Sequence, residues 1–189
     1  MTASAFASAV LFATLFIAAW SDFKSRQIPN RLSIVGVNVA MTLGAFGSVM
    51  AWLQESDRWS WLTFSDVLLG SAVTGLLPLV IYVAGSGGAA DVKLAWVIGA
   101  FLGWRGGSLA VWSAYFMAGI WGLSALVLSG RIWKLAGLYI RTVGYRLLPR
   151  RFTSPTKEEW NTFSDAYPMA PFYLAGVILV HWARFRGVD

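Results

Sequence analysis

Apolar runs of about twenty residues recur along this 189-residue chain, and no other feature constrains its fold as strongly. In lipid there is no water to satisfy a free backbone N–H or C=O, so such a run must close its hydrogen bonds internally, as a helix does. The runs cover about Ser4–Trp20, Leu32–Leu53, Phe64–Ala84, a short one at Asp91–Trp104, a fifth ending near Ser129, and Pro168–Trp182. The reading is an all-α integral membrane protein of about six transmembrane helices, forming a single polytopic domain over residues 1–189. Composition agrees: 57% of residues are hydrophobic and 13% charged, where a soluble domain carries roughly 25% charged. The first run lacks a basic segment ahead of it, so it reads as a retained span and not a cleaved signal.

The breakers between runs are informative. Span 1 ends in the polar cluster Ser21 to Gln27, and Ile28-Pro29-Asn30 then makes a tight turn, because proline disfavours helix before it and suits a helix start. Span 3 carries Pro78. Gly85-Ser86-Gly87-Gly88-Ala89-Ala90 is a small-residue stretch ahead of Asp91, and Arg105-Gly106-Gly107 reads as the turn between spans 4 and 5. Residues 130–167 are the long polar region. Within it, Trp133, Ala136, Ile140, Val143 and Leu147 share one helical stripe, with Arg131, Lys134, Arg141 and Arg146 on the other side. That pattern predicts a basic amphipathic helix in the membrane interface between spans 5 and 6, the alternative being a continuation of span 5.

The net charge of +6 lies beside apolar spans, which points to anionic lipid as a partner and away from nucleic acid. With no cysteine, disulfides, thiolate zinc sites and Cys nucleophiles are excluded. No Ser–His or metal-ligand cluster stands out, so neither metal nor cofactor is expected. Gly85 to Gly88 lacks the continuation of a phosphate loop. His181 falls at the far end of span 6 from the acids discussed next.

Seven of the nine acids have bland explanations as loop, cap or tail residues; helix capping accounts for Asp66. Asp22 and Asp91 remain. One ends an odd span and the other begins an even span, so both reach the same membrane face. Ionisable residues at membrane depth are costly and tend to be functional. Two carboxylates that meet can hold one water, one acting as general base while its protonated partner polarises a carbonyl. Two other readings fit the same residues: helix caps in a non-catalytic component of an assembly, or proton or cation ligands in a small transporter or channel.

Asp22 through Asn30 resembles the D-x5-I-P-N segment of type IV prepilin peptidases. Gly88-Ala89-Ala90-Asp91-Val92-Lys93-Leu94 resembles that family's G-x-G-D-x-K-L segment, and Ala170-Pro171-Phe172 is similar to a later motif of it. The resemblance implies an intramembrane aspartic endopeptidase that removes the short basic leader of prepilin-like proteins at the inner-membrane cytoplasmic face. Asp22 and Asp91 would be catalytic. Gly87, Gly88, Ala90, Lys93, Arg26 and Asn30 would shape the site or bind substrate. The chain looks most like the small branch associated with Flp or tight-adherence pili. It lacks the cysteine-bearing insert of larger members, and N-methyltransferase activity is not expected. Ala90 stands where the motif has glycine, and a positive φ there would strain alanine.

Orientation follows from basic residues. Eleven Lys and Arg fall on the side of loops 1–2, 3–4 and 5–6, and four on the other. The excess places the first group in the cytoplasm and the N-terminus outside. Single cysteines introduced into the cysteine-free chain test this: a cysteine at position 155 should resist membrane-impermeant reagents added from outside, and strong external labelling would reverse the topology.

Overall fold

The computed structural model describes residues 3–25, 27–53, 62–84, 88–147, 153, 156 and 168–187. Among them are six helices and no strand: α1 (Ala3–Ser25), α2 (Asn30–Trp52), α3 (Phe64–Val83), α4 (Ala89–Leu128), α5 (Ile132–Leu147) and α6 (Ala170–Phe185). Helices α1 to α4 are long and apolar enough to cross a membrane, and α6 is a shorter apolar helix. The chain divides into two compact units, residues 1–117 with 168–189, and residues 118–167.

In the first unit, large side chains such as Phe16, Trp20, Phe23, Leu76, Trp112 and Phe116 face outward. Such a surface is at home in lipid. The buried side chains are small or closely fitted instead. Helix α1 buries one stripe, Ala7, Leu11, Leu15 and Ala18, at the helical repeat. The helix continues past Trp20, through the polar cluster, to Ser25, so Asp22 lies in its last turns and not beyond its end. Ser25 Oγ donates to the Ser21 carbonyl at 2.8 Å, and Ser21 Oγ donates to the Gln27 carbonyl at 2.7 Å, folding the chain over. Buried Ile28 pins the turn, and Leu32 N–H donates to the Pro29 carbonyl as α2 begins.

Helix α3 starts with a capping box. Thr63 is the N-cap, and Asp66 is its partner at the third helical position, accepting from Thr63 N–H at 3.1 Å. Asp66 is thus a capping residue as expected, though it is not itself the N-cap.

Helix α4 departs most from expectation. Its break falls at Gly103 (φ 68°, ψ 178°), not at Arg105-Gly106-Gly107. That backbone conformation is essentially confined to glycine. Gly106 and Gly107 are helical and buried, and their lack of a side chain serves packing. A Cβ on Gly107 would lie 2.9 Å from Gly99 Cα. In an unbroken helix these residues, eight apart, would be separated by about 12 Å. Within the first unit, the stretches of α4 on either side of Gly103 therefore fold back against each other. The first half is central, burying Leu94, Ala95, Val97, Ile98 and Phe101 among others.

Small residues let the backbones approach, as in membrane helix pairs generally. A Cβ on Gly70 would strike the Gly99 carbonyl, and one on Gly176 would strike the Ala110 carbonyl. Thr74 Oγ is shared between the carbonyls of Gly70 (2.7 Å) and Ala95 (2.8 Å), tying α3 to α4. At the end of the unit away from Asp22, His181 Nε2 meets Ser8 Oγ at 3.1 Å, and Arg184 donates to the Leu102 carbonyl at 3.4 Å beside the Gly103 break. His181 therefore joins α1 to α6 far from the two aspartates.

In the second unit, α4 ends in a Schellman motif. Gly130 has φ 66°, its N–H donates to the Val127 carbonyl, and Arg131 N–H donates to the Leu126 carbonyl. This stop makes α5 a separate helix and not a continuation of the fifth run. Most of the polar region beyond it, 148–152, 154–155 and 157–167, lies outside the described residues.

The glycine packing predicts a specific sensitivity. Gly99→Ala places a methyl group against the Gly70 backbone and should cost about 1–3 kcal/mol. Gly119, where an added Cβ meets nothing within 4 Å, should accept alanine with no loss. Unfolding of both variants in detergent measures the difference.

Candidate active site

Four segment ends meet at the Asp22 end of the first unit: the last turns of α1 and the starts of α2, α4 and α6. Each helix start leaves N–H groups without intrahelical partners, and two such groups find carboxylate acceptors here. Helix α6 has Met169 at its N-cap, a side chain with no acceptor to offer, and none bonds there. The acceptor comes from across the bundle: Ala170 N–H donates to Asp22 Oδ2 at 3.1 Å. The contact fixes the Asp22 carboxylate against the positive end of a helix.

Asp91 is the third residue of α4. Its Oδ2 accepts from Gly88 N–H at 3.3 Å, and its own N–H donates to the Gly88 carbonyl at 3.1 Å. Asp91 thus caps its own helix. This occupies one carboxylate oxygen; among the described residues the other has no hydrogen bond. Asp22 is close enough to act on Asp91 electrostatically. The fold therefore brings together two acids that lie 69 positions apart in the chain.

The two aspartate-bearing segments are also joined directly. Lys93 Nζ donates to Asn30 Oδ1 at 2.6 Å. Asn30 opens α2 just after the turn that follows Asp22, and Lys93 follows Asp91 by two. The bond holds the two segments in register. Gly88 has ordinary space for a side chain, so its contribution is its N–H. Ala90 is partly buried in helical backbone, and the described glycines with positive φ are Gly103, Gly130 and Gly187. The anticipated strain at Ala90 is absent, because helical φ suits alanine better than glycine. Arg26 and Gly87 lie outside the described residues.

Sequence reasoning missed two tyrosines. Tyr115 and Tyr173 stack edge to face, with ring centroids 6.1 Å apart, and both are within electrostatic reach of Asp91. A signal for Tyr115 was present: Asp91 and Tyr115 are each twelve residues from Gly103, so a fold-back at that glycine sets them level. Tyr173 lies one turn beyond Ala170 on α6. The Ala170-Pro171-Phe172 match marked this region without indicating that its backbone would hold Asp22.

The Asn30–Lys93 bond can be measured by a double-mutant cycle. Asn30→Ala and Lys93→Met should each destabilise the protein, and their effects should couple by about 0.5–1.5 kcal/mol. Strict additivity in detergent unfolding would show that the bond contributes nothing.

Two comparisons, with curated proteins and with solved structures, give no match. The family model of the type IV leader peptidases matches residues 9–123, which include Asp22, Asn30, Gly88 to Lys93 and Tyr115. The match covers more than half of the chain and takes in both aspartate-bearing segments, so the chain belongs to the type IV leader peptidase family.

Proposed function

We propose that this leader peptidase is an intramembrane aspartic endopeptidase with Asp22 and Asp91 as its catalytic pair. The observation that supports the reading is that these two carboxylates lie within electrostatic reach of each other at one end of the bundle, each accepting from a backbone N–H at a helix start. The mechanism needs one carboxylate of the pair ionised and the other protonated. A water between them loses a proton to the ionised group while its oxygen attacks the peptide carbonyl. The protonated partner donates to the carbonyl oxygen as negative charge develops there. When the tetrahedral intermediate collapses, the C–N bond breaks and the departing nitrogen takes a proton from the pair.

The substrate in this reading is a prepilin-like protein, of the Flp type, cut between a short basic leader and its hydrophobic segment. Helix ends are a suitable place for the reaction, since water and leader peptide reach them while the hydrophobic segment stays in lipid. The basic residues grouped around the Asp22 turn and in 130–167 favour the cytoplasmic face of the inner membrane for this end. Trp133 and Ile140 on α5 are exposed, which fits a helix resting in the interface. Without cysteines to build a metal-bearing insert, the chain acts as a peptidase without N-methyltransferase activity.

Processing of an Flp-type prepilin, followed by mobility shift, tests the pair. Asn keeps the shape and an acceptor for the neighbouring N–H but cannot take the proton. Asp22→Asn and Asp91→Asn should each lower processing at least about a hundredfold, and the double variant should be no worse than either single. The wild-type rate should fall on both sides of a pH optimum, because only the singly protonated pair is active. Near-normal processing by folded, inserted Asp91→Asn would remove the aspartic mechanism and favour ion binding at these residues.

A further inference from the structure

The two-carboxylate scheme leaves unused a buried polar group that lies within electrostatic reach of Asp91. Tyr173 is fully buried, yet its hydroxyl has no partner at good hydrogen-bond geometry among the described residues. The Tyr115 hydroxyl is near enough to interact with it without reaching that geometry. A buried hydroxyl left in this state costs stability that a phenylalanine would not. Such a group calls for a reason.

Its position offers one. Ala170, one turn before Tyr173, grips Asp22. Side chains on a helix lean toward its N-terminus, so the Tyr173 ring tilts back toward the carboxylate end. Tyr115 reaches the same level from the returning half of α4, and close packing of Gly176 on Ala110 and Ala114 seats α6 there. Asp91 has one oxygen taken by Gly88, and among the described residues the other has no hydrogen bond.

We propose that Tyr173, backed by Tyr115, is a positioning residue for Asp91: on substrate binding its hydroxyl donates to the second Asp91 oxygen and holds the carboxylate facing Asp22. This rests on the aspartic reading above. Hydrogen bonds of this kind are commonly long in the free enzyme and tighten in the substrate complex. The partly buried Tyr115, packed edge to face against Tyr173, limits how far the Tyr173 ring can turn away.

The test uses full-length enzyme in detergent, an Flp-type prepilin, and the variants Tyr173→Phe, Tyr115→Phe, their double, and Asp91→Asn. Tyr173→Phe should lower kcat by about tenfold or more and leave KM within about twofold. Its thermal midpoint should stay level or rise, because the ring is kept and an unsatisfied hydroxyl is removed. Tyr115→Phe should have a smaller effect, and the double variant should match Tyr173→Phe. A drop in kcat accompanied by a lower midpoint would make Tyr173 structural and overturn the proposal, as would wild-type kcat in Tyr173→Phe. The Asp91→Asn control separates the two readings. If it is inactive while Tyr173→Phe is normal, only the tyrosine assignment falls; if it is active, the aspartic mechanism falls and the tyrosine assignment with it.

Discussion

The fold-back of α4 at Gly103 is the constraint on which the first unit depends. A forty-residue helix would extend about 60 Å, twice the hydrocarbon thickness, and could not be buried in a bundle of this size. Glycine at φ 68° lets the chain reverse with a single residue. The reversal buries the first half of the helix, brings Gly99 against Gly107, and returns Tyr115 to the level of Asp91. Arg184 then reaches the Leu102 carbonyl that the break exposes. Close packing of glycines supplies the rest, because lipid offers no hydrophobic drive to hold one helix against another.

Both candidate aspartates lie near helix ends, for the same reason. Within a span the backbone satisfies itself, and a charge has no partner. At a helix start, free N–H groups are available, and both aspartates use them. Asp22 accepts from α6 because Met169 cannot cap that helix, so one contact serves stability and site geometry together. Asp91 accepts from its own turn at Gly88. The capping explanation and the catalytic one are therefore compatible: a cap uses one carboxylate oxygen and leaves the other for chemistry.

Lys93 illustrates a related economy. A lysine at membrane depth would ordinarily extend its amine to water. Here it crosses to Asn30 and joins the two segments that carry the acids.

Much of this was determined by sequence alone. The length of the apolar runs, set by bilayer thickness, gave an all-helical membrane chain. The odd-and-even rule for helix ends put Asp22 and Asp91 on one face, and the family followed from the segments around them. Local chemistry also indicated the Pro29 turn and a capping role for Asp66, though not that Thr63 is the N-cap. Tertiary structure decided what depends on partners distant in the chain. It placed the break of α4 at Gly103, because Gly106 and Gly107 are needed for contact with neighbours that no local pattern reveals. It cleared Ala90 of strain by setting that residue in helical backbone. It also brought Ala170, Tyr115 and Tyr173 to the acids, since a backbone N–H and two apolar-looking helix positions acquire a role only when other helices pack against them.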